Sequence, residues 1–164
     1  MRNEALRTAW DFVENTGRSI FLTGKAGTGK TTFLHTVVQK SRKRSIVVAP
    51  TGVAAINAGG VTIHSFFQLP FAPFGPNATI KNKFDFSAEK RRIIASLDLL
   101  IIDEISMVRS DLLDAIDSVL RRFRDRYQPF RSGICCGPCS PQNPTPASIL
   151  RYVPCAMHAF FMQR

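Results

Sequence analysis

The sequence predicts an α/β fold, a parallel sheet flanked by helices and built around a phosphate-binding loop. Three observations carry that expectation. Residues 24–31 read Gly-Lys-Ala-Gly-Thr-Gly-Lys-Thr, which fits the pattern G-x-x-x-x-G-K-[ST] at every fixed position. A continuous apolar run, Leu99-Leu100-Ile101-Ile102, ends directly in Asp103-Glu104, as in a strand buried on both faces. Between and around these, short apolar runs alternate with helical periodicities, which argues for parallel strands joined by right-handed crossovers.

The elements follow in order. Glu4 to Glu14 reads as a helix with Leu6, Ala9, Trp10 and Val13 on one face. Ser19 to Thr23 is β-rich and leads into the glycine loop. A helix from Thr31 to about Lys40 leads out, with Phe33, Leu34, Val37 and Val38 as its apolar positions. Ser45 to Ala49 is a second buried strand, and Pro50-Thr51-Gly52 turns into a short Ala-rich helix ending near Asn57. Gly59-Gly60 breaks it. Residues 69–86 carry Pro70, Pro73, Pro76 and several phenylalanines, a loop too long to be a plain connection. Ser87 suits the cap of a helix from Ala88 to Leu97. After the Leu99–Ile102 strand, Ser110 is expected to cap a last helix with Leu112, Leu113, Ile116, Val119, Leu120 and Phe123 as its core stripe.

The chain changes character near residue 128. Beyond it there is no Asp, Glu or Lys, yet all 4 cysteines fall there, with Pro129, Pro138, Pro141, Pro144, Pro146 and Pro154 among the 10 prolines. Pro-rich stretches without hydrophobic period seldom build a core. The expected division is therefore a folded unit over 1–128 and a tail over 129–164. Cys136-x-x-Cys139 and Cys155-x-x-His158 have a spacing compatible with zinc, the alternative to a disordered tail.

At 164 residues and 45% hydrophobic content the chain suits one globular domain. It has no run of membrane-spanning length, and its charged N-terminus lacks a secretory core, so the expectation is a cytoplasmic protein without a membrane. A net charge of +10 fits either a polyanionic partner or a solvated basic surface.

The loop residues have chemical reasons. Gly24, Gly27 and Gly29 allow angles and close approach that a Cβ opposes. Ala26, Thr28 and Thr32 complete the cradle whose N–H groups face a phosphate. Lys30 is expected on the β- and γ-phosphates, and the Thr31 hydroxyl on magnesium. Asp103 suits the same metal, and Glu104 suits orienting and deprotonating a water. The expected catalytic set is Lys30, Asp103 and Glu104, with ATP and Mg2+ as ligands.

The segments also resemble a family. Phe21 to Leu34 resembles motif I of the PIF-type DNA helicases, close to RecD within superfamily one. Ala49-Pro50-Thr51-Gly52-Val53-Ala54-Ala55 is similar to their motif Ia, Val61-Thr62-Ile63-His64-Ser65-Phe66-Phe67 to the segment after it, and Ile101 to Val108 to motif II. The resemblance covers about residues 1–128. It implies a RecA-like P-loop NTPase domain and 5′-to-3′ movement on single-stranded DNA in the intact enzyme, with roles in repair, recombination and telomere maintenance. It further implies that Pro50, Thr51, Gly52, His64 and Ser65 face the DNA backbone, while Phe66 and Phe67 either stack on bases or fill the core. After Gln128-Pro129-Phe130 the resemblance stops. Residues 131–164 are then expected to be out of frame or a separate tail, the domain incomplete on its C-terminal side, and the chain inactive in unwinding. Two other functions fit the residues: a stand-alone P-loop or AAA-type ATPase, and a non-catalytic nucleic-acid-binding module with a zinc-binding tail.

Overall fold

The computed structural model describes residues 4–25, 27–71, 86–124, 127, 133–138 and 158–162. Among these residues, six helices and six strands run in the order α1 (Glu4–Asn15), β1 (Ile20–Gly24), α2 (Lys30–Lys40), β2 (Ser45–Ala49), α3 (Gly52–Asn57), β3 (Val61–Thr62), α4 (Ile63–Phe67), α5 (Ala88–Ser96), β4 (Leu99–Ile102), α6 (Ser110–Phe123), β5 (Gly133–Pro138) and β6 (His158–Met162). A 3-10 turn, Ile105–Met107, separates β4 from α6. The strands form one sheet of order β3-β2-β4-β5-β1-β6, and every pairing is parallel.

All strands thus point the same way, and everything that follows a strand lies along one edge of the sheet. The phosphate loop follows β1, Pro50-Thr51 follows β2, α4 follows β3, and Asp103 follows β4. Ligands of open α/β sheets sit at this edge.

The helices form where apolar spacing and caps direct them. α6 buries Leu112, Leu113, Ala115, Ile116, Val119 and Leu120 on one stripe, in a core cluster with Phe66, Phe67, Phe86, Leu100 and Ile102. A second cluster on the other face joins Ala9 and Val13 of α1, Phe33, Leu34 and Val37 of α2, and Leu22, Val47 and Ile101. β4 is buried along its whole length, as a strand covered on both faces must be. Gly60 is demanded by packing, because a Cβ there would collide with the Val47 carbonyl. At the opposite edge, Arg44 clamps the starts of β2 and β4. Its carbonyl accepts from Asp98 and Leu99 N–H, and its guanidinium Nε donates to Asp98 Oδ2 at 2.8 Å.

Two expectations change. Ser110 is the first residue of α6 rather than its cap; Arg109 holds the cap position, without a side-chain hydrogen bond. More consequentially, two stretches from beyond residue 128 are strands. β5 lies between β4 and β1, and β6 pairs with the other side of β1. The break expected at 128 therefore falls inside the sheet. Gly133–Pro138 carries no charge, and its Ile134-Cys135-Cys136 run is apolar, since cysteine behaves as a small hydrophobe. Glycine, proline and cysteine give little strand propensity; pairing with strands on both sides overrides it. Of the apolar positions of α2, Phe33, Leu34 and Val37 are buried and Val38 is 42% exposed. Cys139 and Cys155 of the candidate zinc set lie outside the described residues, as does most of the 69–86 loop. Among the described residues no helix is long and apolar enough to cross a membrane.

Candidate functional site

The turn from β1 into α2 is built from backbone conformations that only glycine adopts cheaply. Gly27 has φ 77° and Gly29 φ 87°, and no atom lies within 4 Å of where a Cβ would stand on either. The requirement is conformational, and the space beside the backbone is open. Gly24 differs: it ends β1 and its φ is not left-handed. Ala26 lies outside the described residues.

Gly29 is also the N-cap of α2, and no side chain caps this helix. The first N–H groups of a helix lack intrahelical acceptors, so these donors and the positive end of the dipole are presented to whatever occupies the open space. Lys30 Nζ donates to the Gly24 carbonyl at 2.6 Å and the Lys25 carbonyl at 2.9 Å, which curls the ammonium back over the loop. Thr28 Oγ1 donates to the Lys25 carbonyl at 2.9 Å, tightening the same turn. Thr31 and Thr32 stand exposed on the first turn of α2.

Asp103 faces this loop from β4. With β5 between β4 and β1, the two segments are separated by two strand spacings, about 10 Å, room for a phosphate and a metal ion. The Asp103 carboxyl is pushed up from its ordinary value by burial, opposed by the Glu104 N–H and by the positive charges of Lys30 and His35. The geometry and that electrostatic reach bring Lys30 and Asp103 into one site. Glu104 N–H donates to Asp103 Oδ1 at 3.0 Å. Glu104 itself sits at φ 52°, ψ 42°, a left-handed conformation that costs a non-glycine residue about 1–2 kcal/mol. Backbone strain of this kind clusters at active sites, and nothing in the sequence signalled it.

The donor set fits a magnesium–nucleotide. It offers a cradle of N–H groups, one ammonium, two exposed hydroxyls and a half-buried carboxylate that burial keeps poorly solvated.

Farther along the same edge lie the expected DNA-facing residues. Thr51 caps α3, its Oγ1 accepting from Ala54 N–H at 3.2 Å. Thr62 caps α4 in the same way, accepting from Ser65 N–H at 3.2 Å. Pro50 and Gly52 flank the first cap, with Gly52 exposed; Ser65 is exposed and His64 half-buried. Phe66 and Phe67 are 3% and 0% exposed, so they fill the core. Among the described residues of this edge, Phe71 is an exposed aromatic, and its ring stacks on His64 with centroids 4.6 Å apart.

Sequence reasoning passed over His35. It lies one turn into α2, and its Nε2 is 3.2 Å from the Asn57 carbonyl at the end of α3. One imidazole thus reaches the end of α3 from α2 and is also among the groups that act on the Asp103 carboxyl. A lone histidine on a helix carries no motif, so only the fold brings these groups together.

Sheet order, loop and acidic strand end define a RecA-like P-loop nucleotide-binding domain. A PIF1-like helicase family model matches residues 3–137, reaching past residue 128 into β5. The chain belongs to the PIF1-like helicase family. It is 38% identical over 119 residues to the ATP-dependent DNA helicase PIF1 of Saccharomyces cerevisiae (strain YJM789), covering 70% of this chain and 14% of that protein. It is 35% identical over 128 residues to the Psychrobacter ATP-dependent DNA helicase Pif1, covering 75% and 19%. The crystal structure of Bacteroides Pif1 in complex with ADP-AlF3 and single-stranded DNA superimposes with a TM-score of 0.80 at 36% identity, over 100% of this chain and 42% of that one. The chain spans 13–20% of the length of the curated relatives it matches.

Proposed function

We propose that this chain is the nucleotide-binding segment of an ATP-dependent 5′-to-3′ DNA helicase that acts on single-stranded DNA, with ATP and Mg2+ as its ligands. The observation that carries the reading is the Asp103 carboxyl facing Lys30 across one intervening strand. A phosphate loop alone fits many folds; a loop and an acidic strand end at that spacing fit nucleotide hydrolysis.

Each residue then has a task. The N–H groups of Gly27 to Thr32 bind the β-phosphate, and Lys30 takes charge from the β- and γ-phosphates. Thr31 and Asp103 would hold magnesium. The metal, when bound, supplies positive charge that offsets the phosphates. Glu104 orients a water and accepts its proton, its carboxylate aimed by the strained turn. Pro50, Thr51, Gly52, His64 and Ser65 lie along the neighbouring strand ends, where hydroxyls and N–H groups meet phosphates of a single strand. Support for the DNA assignment is this shared edge, the net charge of +10 and the single-stranded DNA in the Bacteroides complex.

A titration with labelled ATP tests the nucleotide site. Binding is expected to require magnesium and to weaken at least tenfold in Lys30→Ala; equal affinities would remove the assignment. Stimulation of ATP hydrolysis by single-stranded DNA separates a helicase segment from a stand-alone ATPase.

A further inference from the structure

Phe71 is an 89% exposed phenylalanine that follows directly on a buried, hydrogen-bonded segment. Three features fix it. The short helix α4 beneath it is anchored by buried Ile63, Phe66 and Phe67. Leu69 is buried and its N–H donates to the His64 carbonyl at 3.0 Å. Pro70 then restricts both its own φ and the backbone of Leu69. The ring that emerges lies 18° from the plane of His64, at 4.6 Å. One face of Phe71 is therefore taken by the imidazole, and the other is open to solvent. The stack stands next to Ser65 and on the strand-end edge that also carries Thr51.

We propose that the Phe71–His64 stack is a platform for one nucleobase of single-stranded DNA. The inference rests on the DNA reading above and changes the task of His64 from backbone donor to supporting ring. The chemistry favours a base over an apolar protein surface. The open face is a single flat ring of base size. It sits beside hydroxyl donors suited to the phosphates on either side of that base, in a chain of net charge +10. Base–aromatic stacking is independent of base identity and adds to backbone contacts in single-strand channels. The stack on His64 presents the Phe71 ring in one orientation, so the base meets a flat surface already formed.

The discriminating pair of ligands is a labelled oligothymidylate and an abasic strand of equal length, which share phosphates and differ in bases. The 164-residue chain is expected to prefer the strand with bases by roughly 5- to 150-fold. Phe71→Ala should erase that preference, leaving affinity for the abasic strand and the slope of affinity against salt unchanged, because stacking releases no counterions. Phe71→Trp should keep the preference, and its added fluorescence should be quenched by oligothymidylate but not by the abasic strand. Phe71 is exposed, so its substitution should leave the melting temperature nearly unchanged. Full preference retained by Phe71→Ala overturns the platform. Equal wild-type affinity for the two strands also overturns it while leaving the DNA reading intact. Failure to bind either strand removes both.

Discussion

The phosphate loop and the turns that open α3 and α4 are helix starts after parallel strands, and they treat their backbone donors in opposite ways. At α2 the cap position is Gly29, and no side chain touches the N–H groups behind it. At α3 and α4 a threonine hydroxyl accepts one of those N–H groups, from Ala54 and from Ser65. A capped helix is more stable on its own; an uncapped one keeps its donors for a ligand. The phosphate loop is thus organised to receive charge into the backbone, and the capped turns to present side chains. Their support differs too. The loop hangs from β1, which pairs only with β5 and β6 among the described strands. The turns into α3 and α4 hang from β2 and β3, which pair with each other, and β2 pairs with β4.

That difference in support predicts the largest effect. Truncation after residue 128 removes both partners of β1 and leaves β3-β2-β4 intact. Such a product is expected to lose magnesium-dependent ATP binding entirely and to show no cooperative unfolding of β1. Hydrogen exchange measures this directly: amides of Ile20 to Gly24 should exchange freely, while those of Val47 to Ala49 retain some protection. Wild-type ATP affinity in the truncated chain would mean that β5 and β6 do not hold the loop.

The contrast also marks what the sequence could disclose. The phosphate loop was legible because its demands are local: glycine at left-handed angles, a lysine and a hydroxyl at fixed offsets. Asp103-Glu104 was legible because a fully buried strand must read as Leu-Leu-Ile-Ile. The helical stripes of α1 and α6 were legible from periodicity, and Ser87 does cap α5, accepting from Lys90 N–H at 3.2 Å. β5 was not legible. Gly-Ile-Cys-Cys-Gly-Pro has weak strand propensity, and its place is set by β4 and β1, more than thirty residues upstream. His35, the strained Glu104 and the exposed Phe71 escaped for the same reason. Each acquires its meaning from neighbours distant in sequence or from a backbone angle, and no motif encodes either.

Two glycines sharpen the comparison. Gly29 has a left-handed φ, whereas Gly52, at the start of α3, does not, and both have open space where a Cβ would stand. Gly29→Ala is expected to cost about 1–2 kcal/mol of strain and to weaken ATP binding about tenfold or more by turning the N–H groups aside. Gly52→Ala should leave ATP affinity unchanged and be neutral to slightly stabilising, since alanine favours a helix. Equal effects on ATP binding would show that the loop owes its shape to something other than its glycine angles.

The caps give a smaller effect in the reverse sense. Thr51→Ala and Thr62→Ala each remove the acceptor of one helix-start N–H, at a cost of about 1 kcal/mol of stability, read as a lower denaturant midpoint with unchanged slope. ATP affinity should hold, because neither residue touches the loop. If either change weakened ATP binding as much as Gly29→Ala, the loop and the capped turns would be one site rather than neighbours on the edge.

The smallest expected effect comes from β4, which has a carboxylate at each end in contrasting surroundings. Asp103 is pushed up by burial beside the loop, whereas Asp98, at the opposite edge of the sheet, is lowered to about 2, chiefly by its hydrogen bond to Arg44. A depressed carboxylate stabilises the fold at pH values above its unfolded value of 3.8, and that contribution disappears as pH falls from there through about 2. The pair is exposed, 67% for Arg44 and 40% for Asp98, so water and salt screen it and the contribution is far smaller than the shift alone suggests. Melting temperatures of wild type and Asp98→Asn should therefore differ slightly at neutral pH and converge below pH 3.8. The gap should also narrow at 1 M salt, where the screening length is about 3 Å. A gap undiminished at pH 2 would mean that the charge of Asp98 contributes nothing to joining β2 and β4.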